Sequence, residues 1–176
     1  MELSPTMERF VLHWGEMGTR WGVSRSVAQV HGLLYLSPKP LTADEIVSTL
    51  SIARSNVSAS IKELQSWNLI QTHHVMGDRR DHFSAISDPW EAFMLIVEGR
   101  KQREIDPTLT TLRQCVEASP DDKGLSKESA KRIEETLEFL ELLTSWYEDV
   151  RRVPRPLQLK ILKLGGKVAK LWAKLN

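Results

Sequence analysis

The sequence has one cysteine, Cys115, no excess of charge of either sign, and no apolar run approaching the roughly 18 residues that a membrane-crossing helix needs. A lone cysteine excludes an internal disulfide framework and a multi-cysteine zinc site. The missing apolar run argues against stable membrane insertion. The amino terminus, MELSPTMERF, lacks a basic segment followed by an apolar stretch, which makes the cytoplasm the expected compartment. Also absent are a glycine-rich phosphate loop, a nucleophile elbow and any metal-ligand spacing. The expectation is a protein that is not an enzyme and holds no cofactor and no metal. His73, His74 and His82 fall on adjoining segments, but no cysteine or paired carboxylate joins them, so solvated or phosphate-facing histidines are expected. Cys115 reads as a packing residue, because only Arg113 stands near enough in sequence to lower its pKa.

What is present is the composition of a globular chain: 176 residues, 41% hydrophobic and 27% charged. Residues 1–90 hold eight Lys/Arg and nine Asp/Glu, and residues 91–176 hold sixteen and fourteen. Neither half is strongly basic. The local pattern is sharper, with six acids and no base between Glu134 and Asp149, then eight bases and no acid from Arg151 onward.

Helix start signals divide the chain. Ser4-Pro5 opens a helix with Phe10, Trp14, Met17 and Trp21 as an apolar stripe. A second helix runs from about Ser24 to Leu36 and stops at Ser37-Pro38-Lys39-Pro40. Thr42 and Glu45 form a capping box for a short helix through Leu50. A tight turn at Ser51-Ile52 leads to a helix over about Ala53–Trp67 with Val57, Ile61 and Leu64 inward. The period then changes: Leu69–Met76 and Asp81–Ile86 flank Gly77-Asp78-Arg79-Arg80, which predicts a hairpin with a charged tip and the one convincing strand pair. Asp88-Pro89 caps another helix with a kink or restart at Asp106-Pro107. Ser119–Gly124 is a linker, Ser126 caps a long helix, Arg151–Pro156 breaks it, and Leu157–Leu175 is a last amphipathic helix interrupted by Gly165-Gly166.

Two short helices, a tight turn and an immediate hairpin are the order of a winged helix-turn-helix, in which the second helix enters the major groove. The fold class is therefore mainly α, a winged helix-turn-helix DNA-binding domain with helical dimerisation elements. The organisation reads as 1–23, an N-terminal dimerisation helix; 24–88, the DNA-binding domain; 89–156, a helical dimerisation region; and 157–176, a basic amphipathic helix. With the apolar row inward, Arg54, Ser55, Asn56, Ser58 and Lys62 lie on or beside the outer face of the reading helix. Asn56 suits adenine, Arg54 suits guanine or phosphate, and the serines suit either base or backbone. Arg79 and Arg80 at the wing suit a narrow minor groove, with Asp78 placed to hold Arg80 by a charged hydrogen bond. A winged-helix protein-interaction or architectural module without a specific operator is the alternative, and steep salt dependence would distinguish DNA binding from it.

These residues resemble the MarR-type winged-helix repressors and, within them, the branch of the glycine-betaine synthesis repressor GbsR. The resemblance is carried by Met17–Gly22 (MGTRWG), Gln29–Ser37 (QVHGLLYLS), Pro40–Ile46 (PLTADEI), Ala53–Ser58 (ARSNVS), Ile61–Leu64 (IKEL) and Gly77–Arg80 (GDRR), and covers about residues 7–118. It implies a homodimeric cytoplasmic transcriptional regulator, usually a repressor, on a pseudo-palindromic operator in double-stranded DNA. It also allows release by a small-molecule effector of unknown identity. Two departures stand out: Ala53 occupies a position where many relatives have a capping Ser, and Ser51 one where the turn often has Gly.

The long helix carries Ile133, Leu137, Leu140, Leu143, Tyr147 and Val150 as one stripe, widened by Phe139, Leu142 and Trp146 beyond what one neighbour needs. With the Phe10 stripe this predicts an interlaced dimer through Phe10, Ile133, Leu137, Leu140, Trp146 and Tyr147. In the tail, Lys160, Lys163, Lys167, Lys170 and Lys174 run beside Leu157, Ile161, Leu164, Val168, Leu171 and Leu175. Packing on the helical region, within the chain or across a dimer, with the lysines solvated or near the acids, is preferred to a membrane surface. The six tryptophans fall on apolar stripes or at helix boundaries, where core packing accounts for them. An aromatic cage for a quaternary ammonium is the functional alternative, sited near Trp14, Trp21 and Trp90.

Overall fold

Capping chemistry sets the helix boundaries. Helix α1 (Pro5–Arg20) starts where the Ser4 hydroxyl accepts the Met7 N–H at 3.3 Å, and α2 (Arg25–Leu36) starts the same way at Ser24. At α3 (Ala43–Leu50) the capping box is complete: the Thr42 hydroxyl accepts from Glu45 N at 3.3 Å, and the Glu45 carboxylate accepts from Thr42 N at 2.8 Å. That backbone N–H, first among several causes, holds the Glu45 carboxyl below its usual pKa. Helix α4 (Arg54–Ser66) follows, then the hairpin, then α5 (Pro89–Arg100), capped by Asp88. The computed structural model describes residues 2–175, with side chains described through residue 165.

The strands form one antiparallel sheet of order β1-β3-β2, with β1 (Leu41–Thr42), β2 (Ile70–Val75) and β3 (Asp78–Ala85). The two-residue β1 is a pairing beyond the expected hairpin. It follows Pro40 and aligns Leu41 with Phe83, so that both side chains enter the core. A strand of two residues has no alternation to betray it. Val30, Leu33, Leu41, Ile46 and Val57 are buried at the centre of this unit, and Leu64, Ile70 and Phe83 join them.

Helix α1 packs along α2, and its buried positions are Val11, Gly15 and Gly18. The expected stripe shifts accordingly: Phe10, Trp14 and Met17 are half-buried, whereas Trp21 lies past the helix end and is 54% exposed. Close helix approach is the cause, since a Cβ at Gly18 would collide with Ala28.

The chain divides into two units, 1–101 and 102–176. The division falls in a π-helical turn, Lys101–Ile105, just before the expected kink at Asp106-Pro107. The second unit contains α6 (Asp106–Ala118), a 3-10 turn at Ser119–Asp121, α7 (Lys127–Arg152) and α8 (Arg155–Leu175). Helices α6 and α7 pack together, with Leu109 and Leu137 buried. Leu109, Leu112 and Val116 form the inward side of α6. Cys115 therefore points away and is exposed, which corrects its reading as a packing residue. Helix α8 runs without a break through Gly165-Gly166, so these glycines do not interrupt it. Its start is fixed by Gln158, whose amide donates to the carbonyls of Val150, Arg151 and Val153. Trp172 and the lysines from Lys167 onward lie outside the described side chains.

Candidate nucleic-acid interface

Helix α4 has two faces. Val57, Ser60, Ile61 and Leu64 are buried, and Arg54, Ser55, Asn56, Ser58, Ala59 and Lys62 are exposed. The structure thus brings all the expected α4 residues onto one solvent-facing surface of small and polar side chains. Ser60 was not foreseen as buried. Its hydroxyl finds no hydrogen-bond partner among the described residues, and its small volume is the only sequence hint.

The start of α4 is locally imperfect. Ala53 occupies the N-cap in extended conformation with no side-chain hydrogen bond, and Ser51, ending α3, is left-handed at φ 52°. Neither Ser51 nor Ser55 replaces the missing cap. At the surface the two helices are linked by an ion pair between Arg54 and Asp44. Arg54 therefore has a carboxylate partner on α3, and a guanine or phosphate would compete with it.

At the wing, the turn is Met76-Gly77, with Gly77 at φ 85°. The expected tip, Gly77–Arg80, thus shifts toward the amino end, and Asp78, Arg79 and Arg80 already belong to β3. The register explains their disposition. Val75 pairs with Asp78 and His74 with Asp81, so Arg79 and Arg80 are two extra residues in a bulge. A bulge of this kind bends the strand and re-aims its side chains. Asp78 anchors it, accepting from Arg80 N at 3.0 Å, from Arg80 Nε at 2.9 Å and from Nη2 at 2.6 Å. Those contacts with Arg80 hold the Asp78 carboxyl far below the usual carboxylate range. The clamp leaves Arg80 exposed with its direction fixed, and Arg79 beside it is exposed.

The three wing histidines each have a different neighbour. His73 Nε2 lies 2.7 Å from Ser84 Oγ, His74 Nδ1 lies 3.3 Å from an Asp81 oxygen, and His82 contacts the Arg80 carbonyl at 3.1 Å. Among the described residues no group of three His, Cys, Asp or Glu is placed to hold a metal ion.

The first unit also has a small, partly open apolar pocket of about 80 Å³, lined by residues that include Trp14, Trp21, Trp67 and Arg100. Trp14 Nε1 donates to His31 Nδ1 at 3.2 Å on its wall. Trp90, expected in the same place, does not line it and instead packs its ring on Phe93. Trp67 is a cavity residue that the sequence reading assigned only to a helix end.

The reading face, the left-handed turn and the clamped wing form one contiguous stretch of chain. Residues 21–81 match the model of the MarR family. The matched segment spans α2, the helix-turn-helix and most of the wing. Over longer spans the chain is similar to two proteins of Bacillus subtilis (strain 168). It is 19% identical to YvaV, which bears the name of an HTH-type transcriptional regulator, over 83% of this chain and 84% of that one. It is 18% identical to the HTH-type transcriptional repressor OpcR, over 76% of this chain and 74% of that one. A crystal structure of a transcriptional regulator superposes with a TM-score of 0.66 at 20% identity, covering 82% of this chain and 95% of that one, which establishes the shared fold. Among the described residues no helix is long and apolar enough to cross a membrane.

Proposed function

We propose that this chain is a MarR-type, sequence-specific DNA-binding transcriptional regulator, a cytoplasmic repressor acting as a homodimer on a pseudo-palindromic operator. The observation that carries the reading is the exposed polar face of α4, set on a buried row and followed at once by the clamped wing. Asn56, Ser55 and Ser58 contact base edges or backbone in the major groove, and Arg54 and Lys62 reach bases or phosphates. Arg79 and Arg80 enter the neighbouring minor groove. Residues 1–23 and 89–156 supply dimerisation, through Phe10 and through Ile133, Leu137, Leu140, Trp146 and Tyr147. Ile133, Leu140 and Tyr147 are half-buried in the chain and Trp146 is exposed, whereas Leu137 is buried where α7 packs on α6 and is the one expected contact already covered within the chain.

The test is DNA selection with the purified protein, then quantitative binding to the recovered site across a salt series. Arg80→Ala should weaken binding to all sequences and flatten the salt slope by about one unit. Asn56→Ala should cost about 1–3 kcal/mol at particular base pairs and leave non-specific binding intact. Wild-type binding by both variants would refute the assigned surface, and failure to recover any site would favour an architectural or protein-docking role.

On the Met17–Gly22 and Gln29–Ser37 segments we assign the chain to the GbsR-like branch. An effector, in this reading, occupies the cavity at Trp14 and Trp21. Arg100 lines the same cavity, and a guanidinium there opposes a quaternary ammonium guest, so a small neutral or anionic apolar molecule fits the wall better.

A further inference from the structure

Among the described residues of the second unit, two apolar surfaces stay exposed. On α7, Phe139, Leu142, Leu143 and Trp146 are 62%, 70%, 47% and 56% exposed. At about 100° per residue they form one ridge, opposite the side on which Leu137 is buried. On α8, Leu157 and Leu164 are exposed, with half-buried Ile161 between them on the same face. In the sequence the spacing continues at Val168, Leu171 and Leu175. Both series step by three and four residues, the spacing of a helix-to-helix seam.

Charge decides what covers them. Of the six acids between Glu134 and Asp149, Glu138 and Asp149 lie along one edge of the α7 ridge, and Glu135 continues its line toward the helix start beside Lys131, 3.5 Å away; Glu134, Glu141 and Glu148 lie nearer the Leu137 side, with Glu141 paired to Arg113 of α6. On α8, Lys160 borders the seam, Lys163 lies further round on the same side, and no acid follows Arg151. Pairing α7 with a second α7, or α8 with a second α8, would place like charges along the contact. Pairing α7 with α8 matches apolar seam to apolar seam and acid to lysine. The chain's own α8 does not make this pairing, because the α7 ridge stays exposed. Gln158, bonded to three carbonyls at the corner, holds the departure of α8.

We propose that α8 of one copy lies along the exposed α7 ridge of the other, and reciprocally, so that the basic tail is a strap across the dimer. This rests on the homodimer reading. Viewed from each N-terminus, the charged edge lies on the same side of both seams, so acids and lysines meet when the paired helices run antiparallel. The arrangement is isologous and closes as a dimer, burying both seams at once.

The test is sedimentation equilibrium of the full chain without DNA, at low and high salt. The α7 reversal is Glu135→Lys with Glu138→Lys, and the α8 reversal is Lys160→Glu with Lys163→Glu. Each alone should weaken dimerisation by at least about fivefold at low salt, with a smaller effect at high salt. The two together should restore most of the lost affinity, a rescue that loss of folding does not produce. A dimer whose constant is unmoved by either reversal overturns the strap and leaves the homodimer standing, whether or not the tail binds vesicles of anionic phosphatidylglycerol. A monomeric wild-type chain overturns both.

Discussion

Burial holds the His31 imidazole at a pKa of about 4, well under the ordinary 6.5. Its Nδ1 accepts from Trp14 Nε1, so the proton of the neutral ring sits on Nε2, which is buried without a partner among the described residues. The folded protein therefore resists a proton that the unfolded chain accepts. Above pH 6.5 both states are neutral and the stability is fully present. As the pH falls below 6.5 the unfolded state binds the proton first and stability declines, levelling off near pH 4. Between pH 7.5 and 5 the loss from this group is about 2 kcal/mol. Urea denaturation at the two pH values should show that loss in wild type and a clearly smaller one in His31→Gln. An equal loss in both would assign the pH dependence to other groups. Arg80 behaves differently: its clamp on Asp78 keeps the carboxylate ionised throughout this range, so the wing keeps its geometry while the core weakens.

At the scale of the element, the weakest start is that of the reading helix. Ala53 has the extended backbone of an N-cap and no side-chain oxygen to use there. Ala53→Ser supplies one to the amides of the first turn and should stabilise the winged helix by about 1 kcal/mol, a rise of roughly 3 °C in Tm by calorimetry. An unchanged Tm would mean that the Arg54–Asp44 pair already fixes the start of α4. Both departures at this turn were legible through the family resemblance, whereas the capping box at Thr42 and the inward row at Val57, Ile61 and Leu64 were legible from residue type and spacing. Other features were not. The β1 pairing depends on Phe83, over 40 residues away, and the shift of the α1 stripe on a glycine-mediated approach to Ala28. The bulge at Arg79-Arg80 is a matter of register, which no local pattern specifies when one face of the wing is polar on both strands. For the candidate site, the α4 face could be read from periodicity. The Arg54–Asp44 pair could not, because the two residues are separated by a turn whose geometry decides their meeting.

For the whole molecule, the proposed function depends on having two copies. One α4 presents five or six polar side chains, too few contacts to select an operator, whereas a two-fold dimer presents two such faces about 34 Å apart on one side of the duplex. The spacing is then a property of the assembly, and the DNA must match it in phase. Inserting about five base pairs between the half-sites turns the second one to the far side of the helix. Affinity for that operator should fall toward that for a single half-site, on the order of 100-fold, when measured by fluorescence anisotropy at fixed salt. The same insertion should leave the salt-dependent binding to unrelated DNA unchanged, because phosphate contacts by one subunit do not sense phase. If the altered operator bound as tightly as the original, each winged helix would be acting alone. The exposed α7 ridge would then serve some purpose other than setting the distance between reading helices.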